Sequence, residues 1–514
     1  MRSVWALGPE PAVPVALMSA YQLVALILVV IGPVLAVATA TKIPPSLALF
    51  GLGLLSTIIP GLPPLRPDPQ LLLDLMLPPL VYASTVRVSL HLVRFTLVPG
   101  LLLGALIVLV TVGLVALATR FLLLPGLPWT AALLLGVIAS VFDTRFFHEA
   151  EGRPHVPRTI SDTLKARELV SRLFILGSLG LVLETAETSI PSVLALAEHY
   201  GIDIPTGLLL GAAIGWGVAS LRRRIDVAPI EIAVSVATPY AASLAAALLD
   251  VSAVAAITAA ALVISTIRID RRTGAPISSS EARISAVAFW EEISLIVSSV
   301  LFLLAGRALP QALGGLDDRP IPDLVLTAAG VLVLVLSVQY AVSCLAPLTR
   351  PLRGAGAGKD DPPVSRWAAA GIMTWSSTRS VIGLVIALSI PEALPDGSPF
   401  PARDLILVVA ALTIIGSILL QGLSVGAVVR LGSSGAEHQH QSEEDEARRT
   451  IEAAIAAPGP ESADGFDAAR RALLRLRERD RIGDEVLISM LRETDLAARA
   501  TEGDALPGAG PPNP

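Results

Sequence analysis

The chain is short of three things that organise most soluble proteins: charge, aromatic residues and cysteine. Charged residues make up 16% and aromatic residues 4% of its 514 positions, too little polar surface to cover a water-facing shell. The lone cysteine, Cys344, excludes any disulfide within the chain. Lysine occurs only as Lys42, Lys165 and Lys359 while arginine is abundant, a codon bias that carries no mechanism. The formal net charge of −6 says little, because the charges are sorted between loops and tail. No nucleophile–base pair, phosphate loop or metal-ligand spacing stands out, so no enzyme, cofactor, metal or nucleic-acid partner is expected. The two histidines of "HQH" at 438–440 lie in a polar stretch and do not alter that.

Apolar residues dominate instead, at 53% of the sequence and a mean hydropathy of +0.69. Apolar runs of about 17–25 residues recur from position 17 to 430, each long enough to cross a bilayer as a helix. A soluble protein would break such runs every 8–15 residues or so. The first run, 16–40, ends in "AVATA" like a signal-peptidase site but exceeds an ordinary signal core, and it reads as a membrane helix. About thirteen spans follow from the pattern, centred near 29, 52, 77, 108, 134, 173, 212, 237, 260, 295, 334, 379 and 416.

Arginines collect in alternate loops: Arg87 and Arg94, then Arg145, Arg153 and Arg158, then 222–224, then Arg268 to Arg283, then Arg350 to Arg366. The positive-inside rule therefore expects the N-terminus outside and the C-terminus in the cytoplasm. Residues 1–431 read as a transmembrane domain and 432–514 as a cytosolic tail. In the tail, "GSSGAEHQHQSEEDEA" reads as a polar linker. Leu474, Leu476, Val486, Leu487 and Leu491 then show helical spacing, with a break expected at Gly483, before a disordered "PGAGPPNP" end. The expected fold class is an all-α polytopic membrane protein with a small helical tail.

Ionisable residues at membrane depth are costly and usually functional. Four clusters meet that description. The fifth span ends "GVIASVFDTRFF", with Asp143 and Thr144 after an apolar run. The sixth opens with "LKARELVSR", 164–172, and its purely apolar part, Leu173 to Leu183, rises only about 16 Å against a core of ~30 Å. Arg167, Glu168 and Arg172 are therefore drawn into the bilayer. The tenth span carries Glu291 and Glu292 in "AFWEEISLIVSSVLFLLAG". The twelfth, "GIMTWSSTRSVIGLVIALSIP", has Arg379 at mid-span behind Ser376 and Ser377. Snorkelling to the cytosolic face accounts for Arg145 and Arg167, but Arg379 lies about 18 Å from either end of its span. Serine and threonine side chains compete for helical backbone bonds, so "TWSSTRS" predicts a broken helix, the device with which transporters expose backbone to an ion. Spans five and twelve are seven apart, the offset of two inverted six-helix repeats joined by a spare helix.

With these stretches in view, the sequence resembles the bacterial sodium/proton exchangers of the monovalent cation:proton antiporter family. "DPQLLLDLMLPPLVYAS" is similar to the family's third span, "PYAASLAAALLDVSAVAAITAAALVIS" to the eighth and ninth, and "FWEEISLIVSSVLFLLAG" to the tenth. "TWSSTRSVIGLVIALSIP" resembles the W-G-G-L-R-G-A-V-S stretch, and "RALLRLRERDRIGDEVL" the tail of one bacterial branch. The resemblance implies a homodimer in the cell inner (plasma) membrane that exchanges Na+, K+ or Li+ for protons. It also implies site residues. "SVFD" matches the family's S-P-x-D, with Asp143 in place. The family's span-six G-E-S-L-L-N-D, whose last acid binds the ion and the proton, aligns with "ARELVSR". Arg167 then falls on the Glu, Ser171 on the Asn and Arg172 on the essential Asp. Arg379 matches the family's twelfth-span arginine, whose usual Glu partner is missing. Glu168, shifted by one, is the nearest replacement.

An arginine cannot alternate between proton and cation, because it stays protonated. Three readings stay open on the residues alone. One is cation/proton exchange with Asp143 as the only titrating carboxylate and Arg172 as its counter-charge. Another is a non-transporting homologue with a sensory or scaffolding tail. The third is anion transport drawn by Arg172 and Arg379. Burial requires pairing, so Arg172 is expected to reach Asp143, Glu168 or both. Arg379 is expected to meet an acid among Glu168, Glu291 and Glu292.

Overall fold

Apolar runs this long have one way to satisfy their backbone out of water, which is to become helices. The computed structural model describes residues 20–504 except 60–67, 87, 89, 145–155, 157, 185–197, 223, 226, 267–279, 317–318, 347–364, 395–396, 433–435, 457–464 and 480. The first helices are α1 (Ala20–Thr41), α2 (Pro45–Ser56), α3 (Leu77–Thr85), α4 (Leu90–Ala118), α5 (Trp129–Ser140) and α6 (Arg158–Glu184). They are followed by α7 (Ile204–Arg222), α8 (Ala228–Leu248), α9 (Ala253–Thr266), α10 (Ser280–Gly314) and α11 (Ile321–Ser343). Two half-length helices, α12 (Arg366–Trp375) and α13 (Val381–Leu388), precede α14 (Arg403–Gly432). Proline opens α2, α8 and α11, where its missing N–H leaves no helical bond unmade.

Twelve of the thirteen centres inferred from hydropathy fall within one of these helices, and the remaining one, 379, falls between α12 and α13. Among the described residues, six stretches are long and apolar enough to cross a membrane by length and composition: Gly100–Leu123, His199–Arg222, Pro229–Leu248, Ala288–Gly314, Ile321–Ser343 and Arg403–Leu431.

Small residues let these helices approach closely. A Cβ added at Gly211 of α7 would lie 1.9 Å from the Ala256 carbonyl oxygen of α9, and Gly207 and Gly215 meet the same helix a turn to either side. Gly53 of α2 and Gly306 of α10 do this reciprocally, each Cβ falling about 2 Å from a carbonyl oxygen of the other helix. On the far side of the bundle α4 packs against α6 through Gly100 and Gly104. The fully buried core runs through the short helices α5 and α13 and the long helix α14.

The tail differs from the sequence expectation at one point. Most of the stretch read as a polar linker is helix, α15 (Ala436–Ala456), because its Ala, Glu and Gln are strong helix formers. It packs with α16 (Gly465–Glu478) and α17 (Asp484–Asp504) around Ala447, Leu473, Ile482, Val486, Leu487 and Met490. The break between α16 and α17 contains Gly483, whose N–H donates to Glu443 at 2.7 Å. Arg477 of α16 reaches Asp162 on α6 at 3.3 Å, both side chains buried.

Candidate ion site at the helix crossing

α5 ends at Ser140, and Val141 turns the chain into extended backbone. Phe142–Asp143 forms a two-residue strand, β1, that pairs antiparallel with β2, Thr378–Arg379, in the gap between α12 and α13. Phe142 faces Arg379 in the register and Asp143 faces Thr378. The Thr378 hydroxyl also donates to the Asp143 carbonyl at 3.1 Å, and the Ser380 N–H to the Val141 carbonyl at 3.3 Å. The end of α5 and the break between α12 and α13 thus satisfy each other's backbone in the buried interior. The serine-rich sequence explains the interruption. Thr374 and Ser377 turn their hydroxyls back onto the carbonyls four residues earlier at 2.7 Å, and Ser380 caps α13 by accepting from the Ile382 N–H at 3.2 Å.

α6 presents Arg167, Glu168, Ser171 and Arg172 to this crossing, all buried. Arg172 donates to Glu168 one turn earlier on the same helix and lies 3.7 Å from Asp143. Both expected partners are therefore reached. Thr144 donates to the other Glu168 oxygen at 2.5 Å. Ser171 donates to the Gly104 carbonyl at 3.3 Å and ties α6 to α4.

The other two arginines depart from expectation. Arg379 meets no carboxylate among the described residues. Its guanidinium donates to the carbonyls of Ala139 at 2.6 Å and Ser377 at 3.0 Å. Arg167 does not snorkel: it is fully buried and donates to Ser343 at 2.9 Å, the Met373 carbonyl at 3.2 Å and Ser377 at 2.5 Å. The physical reason is shared. α5 and α12 both end at the crossing, and a helix C-terminus presents unpaired carbonyls with a partial charge of about −0.5. Each arginine caps such an end in place of an acid. Phe142 lies beside both guanidiniums, 4.8 Å from that of Arg167 and 5.9 Å from that of Arg379.

Glu291 and Glu292, unlike the buried residues of the crossing, are exposed on α10. Ser376 is buried in the break, and its hydroxyl has no hydrogen-bond partner among the described residues. Arg145 lies outside the described residues. Three contributors were missed from sequence: Ser343, Ser417 and Gln421. Ser417 of α14 accepts the Arg379 backbone N–H at 2.9 Å, and Gln421 donates to the carbonyls of Thr374 at 2.9 Å and Ser377 at 3.1 Å. Their signal was available, since Ser417, Gln421 and Ser424 recur at i, i+4 and i+7 in an otherwise apolar span.

Among the described residues, three guanidiniums and two carboxylates meet here, an excess of one positive charge between them. Two helix C-termini at about −0.5 each offset it.

Residues 25–431 match the family model described as "Sodium/hydrogen exchanger, transmembrane". The chain is 27% identical over 441 residues to an uncharacterized Na+/H+ exchanger of Mycobacterium bovis, covering 83% of this chain and 77% of that one. It is 32% identical over 245 residues to the Na+/H+ antiporter NhaP of Pseudomonas aeruginosa, covering 47% and 51%. Among solved structures, the sodium proton antiporter of Methanocaldococcus jannaschii superposes with a TM-score of 0.57 at 16% identity, over 80% of this chain and 97% of that one.

Proposed function

The chain belongs to the sodium/hydrogen exchanger family, a family of multi-pass membrane ion transporters, and we propose that it exchanges Na+ or K+ for protons at the Asp143–Glu168–Arg172 triad. One observation carries the reading: two buried carboxylates, Asp143 on β1 and Glu168 on α6, converge on a single guanidinium where the end of α5 meets the break between α12 and α13. Arg172 sits as a tethered cation where a free cation or a proton would otherwise neutralise the acids. A cation that binds Asp143 and Glu168 must push the guanidinium aside. A proton that binds them weakens its hold. The two ligands therefore compete for one pair of carboxylates, which is the minimum requirement of an antiporter.

The substitution of Ser171 and Arg172 for the family's Asn-Asp then relocates the exchanging acid instead of removing it. Glu168, one turn earlier, takes over beside Asp143, held by Thr144. Anion transport gains nothing from this geometry, because Arg172 is already held by two carboxylates and Arg379 by a helix C-terminus. A silent homologue is not favoured among relatives named as antiporters.

The rest of the proposed arrangement follows the arginine pattern and the family: two inverted six-helix repeats, a homodimer in the plasma membrane, the N-terminus outside, and residues 432–514 as a cytosolic tail. A reporter fused after residue 460 should be active only in the cytoplasm, and periplasmic activity overturns the orientation. For the exchange itself, the test is cation-dependent proton flux in proteoliposomes with sodium, potassium or lithium, in the natural protein and in Asp143→Asn and Glu168→Gln. Loss of flux in both variants supports the triad; flux in the double variant equal to the natural protein's refutes it.

A further inference from the structure

We infer that Gln421 and Ser417 of α14 are positioning residues for exchange: they hold the break between α12 and α13 in the conformation that pairs Thr378–Arg379 with Phe142–Asp143. The inference rests on the crossing being the exchange site, and it adds residues to that site that touch no ion.

In a continuous helix the Thr374 carbonyl would accept from the N–H of residue 378, Trp375 from 379 and Ser377 from 381. The break removes these bonds; the Thr374 carbonyl recovers the Ser377 N–H at 3.3 Å and the Ser377 carbonyl the Arg379 guanidinium at 3.0 Å, and Trp375 recovers neither. α14 supplies substitutes. The Gln421 amide donates to Thr374 at 2.9 Å and Ser377 at 3.1 Å, and lies 3.5 Å from the Trp375 carbonyl. The Arg379 N–H, which would have served Trp375, goes instead to Ser417 at 2.9 Å. The Ser417 hydroxyl donates onward to the Gln421 side-chain oxygen.

The polarity of this chain is fixed at every link. A hydroxyl that accepts from Arg379 has one proton to give, and it gives it to Gln421 Oε1. That assigns the Gln421 NH2 to the carbonyl side; the flipped amide would set an oxygen against three carbonyl oxygens. Both side chains are fully buried, so neither can exchange its partners for solvent. Ser424, one turn further on, accepts from the Trp375 ring N–H at 2.7 Å and anchors the same end of α12. Ordinary polar glue between membrane helices joins side chains across intact helices. Gln421 and Ser417 instead take up the backbone groups that the break releases, and one of those groups belongs to Arg379.

The test compares Gln421→Met, which keeps bulk and removes the donors, with Ser417→Ala, with the double variant, and with Thr413→Val. Thr413 lies on the same helix and bonds to the Ala328 carbonyl at 3.4 Å, away from the break, so it controls for loss of a buried hydrogen bond alone. Backbone amide exchange over 374–382, read by mass spectrometry, should speed up by roughly one to two orders of magnitude in Gln421→Met and Ser417→Ala, and not in Thr413→Val. In proteoliposomes the half-saturating cation concentration should rise about tenfold in each of the two, with the double variant no worse than the stronger single, because both act on one chain of bonds. If Gln421→Met does not fold, Ser417→Ala carries the same reading. Variants that lower thermal stability as Thr413→Val does, with exchange over 374–382 and cation dependence unchanged, overturn the inference. A natural protein without flux would remove the exchange reading, while the amide-exchange arm would still decide what holds the break.

Discussion

Replacing Arg172 by glutamine separates a tethered competitor from a structural ion pair. The substitution keeps length and polarity and removes one charge from beside Glu168 and from 3.7 Å off Asp143. A unit charge about 4 Å away is worth about 4 kcal/mol at an effective dielectric near 20. Unopposed, the two carboxylates should then bind a monovalent cation between about tenfold and about a thousandfold more tightly. Without that cation the variant leaves two buried acids without the Arg172 charge, at a cost of about 3–5 kcal/mol. Saturating cation should return about 2.7 kcal/mol of this when present at a hundred times its dissociation constant. The assay is thermal denaturation in detergent, titrating NaCl against choline chloride at constant ionic strength. The expected outcome is a variant less stable than the natural protein in choline and steeply stabilised by sodium, with a sodium response larger than that of the natural protein. A variant that is destabilised and blind to sodium would show that Arg172 does not compete with the cation, and the exchange mechanism argued above would be wrong.

Other outcomes follow from the same contacts. Lowering the pH should raise the half-saturating sodium concentration, by up to about tenfold per pH unit where one proton displaces one cation, and a pH-independent value would argue against shared carboxylates. Gly211→Val should drive α7 from α9 and destabilise the fold by about 1–3 kcal/mol or more in thermal melts, whereas Gly217→Ala, which meets nothing within 4 Å, should not. Arg477→Ala and Asp162→Ala should each loosen the tail from α6, and their double-mutant cycle in thermal stability should give a coupling of about 0.5–3 kcal/mol; strict additivity would mean the pair contributes nothing to docking.

Most of the helical layout was legible from hydropathy, because an apolar run without a charge has few alternatives to a helix in lipid. The break at "TWSSTRS" was legible for a related reason: its hydroxyls have backbone to bind within one turn. What could not be read was the destination of each charge. Pairing Arg379 with a carboxylate assumed that only an acid neutralises a buried guanidinium. The carbonyls of Ala139 and Ser377 do it instead, and helix ends leave no mark on the sequence as charged residues do. Glu291 and Glu292 lie on a helix that also packs into the core, and which of its faces turns inward is decided by neighbours far away in sequence. The tail linker was misread because low hydrophobicity was taken for irregular backbone, although its residues favour helix.

The most direct test of exchange at the triad is sodium-driven proton movement in proteoliposomes, measured with an internal pH dye. The natural protein should move protons against an imposed sodium gradient, and Asp143→Asn and Glu168→Gln, each first checked for folding, should abolish the response. Undiminished sodium/proton exchange in the variant carrying both substitutions would contradict the account, since the ion would then bind away from the two carboxylates on which it depends.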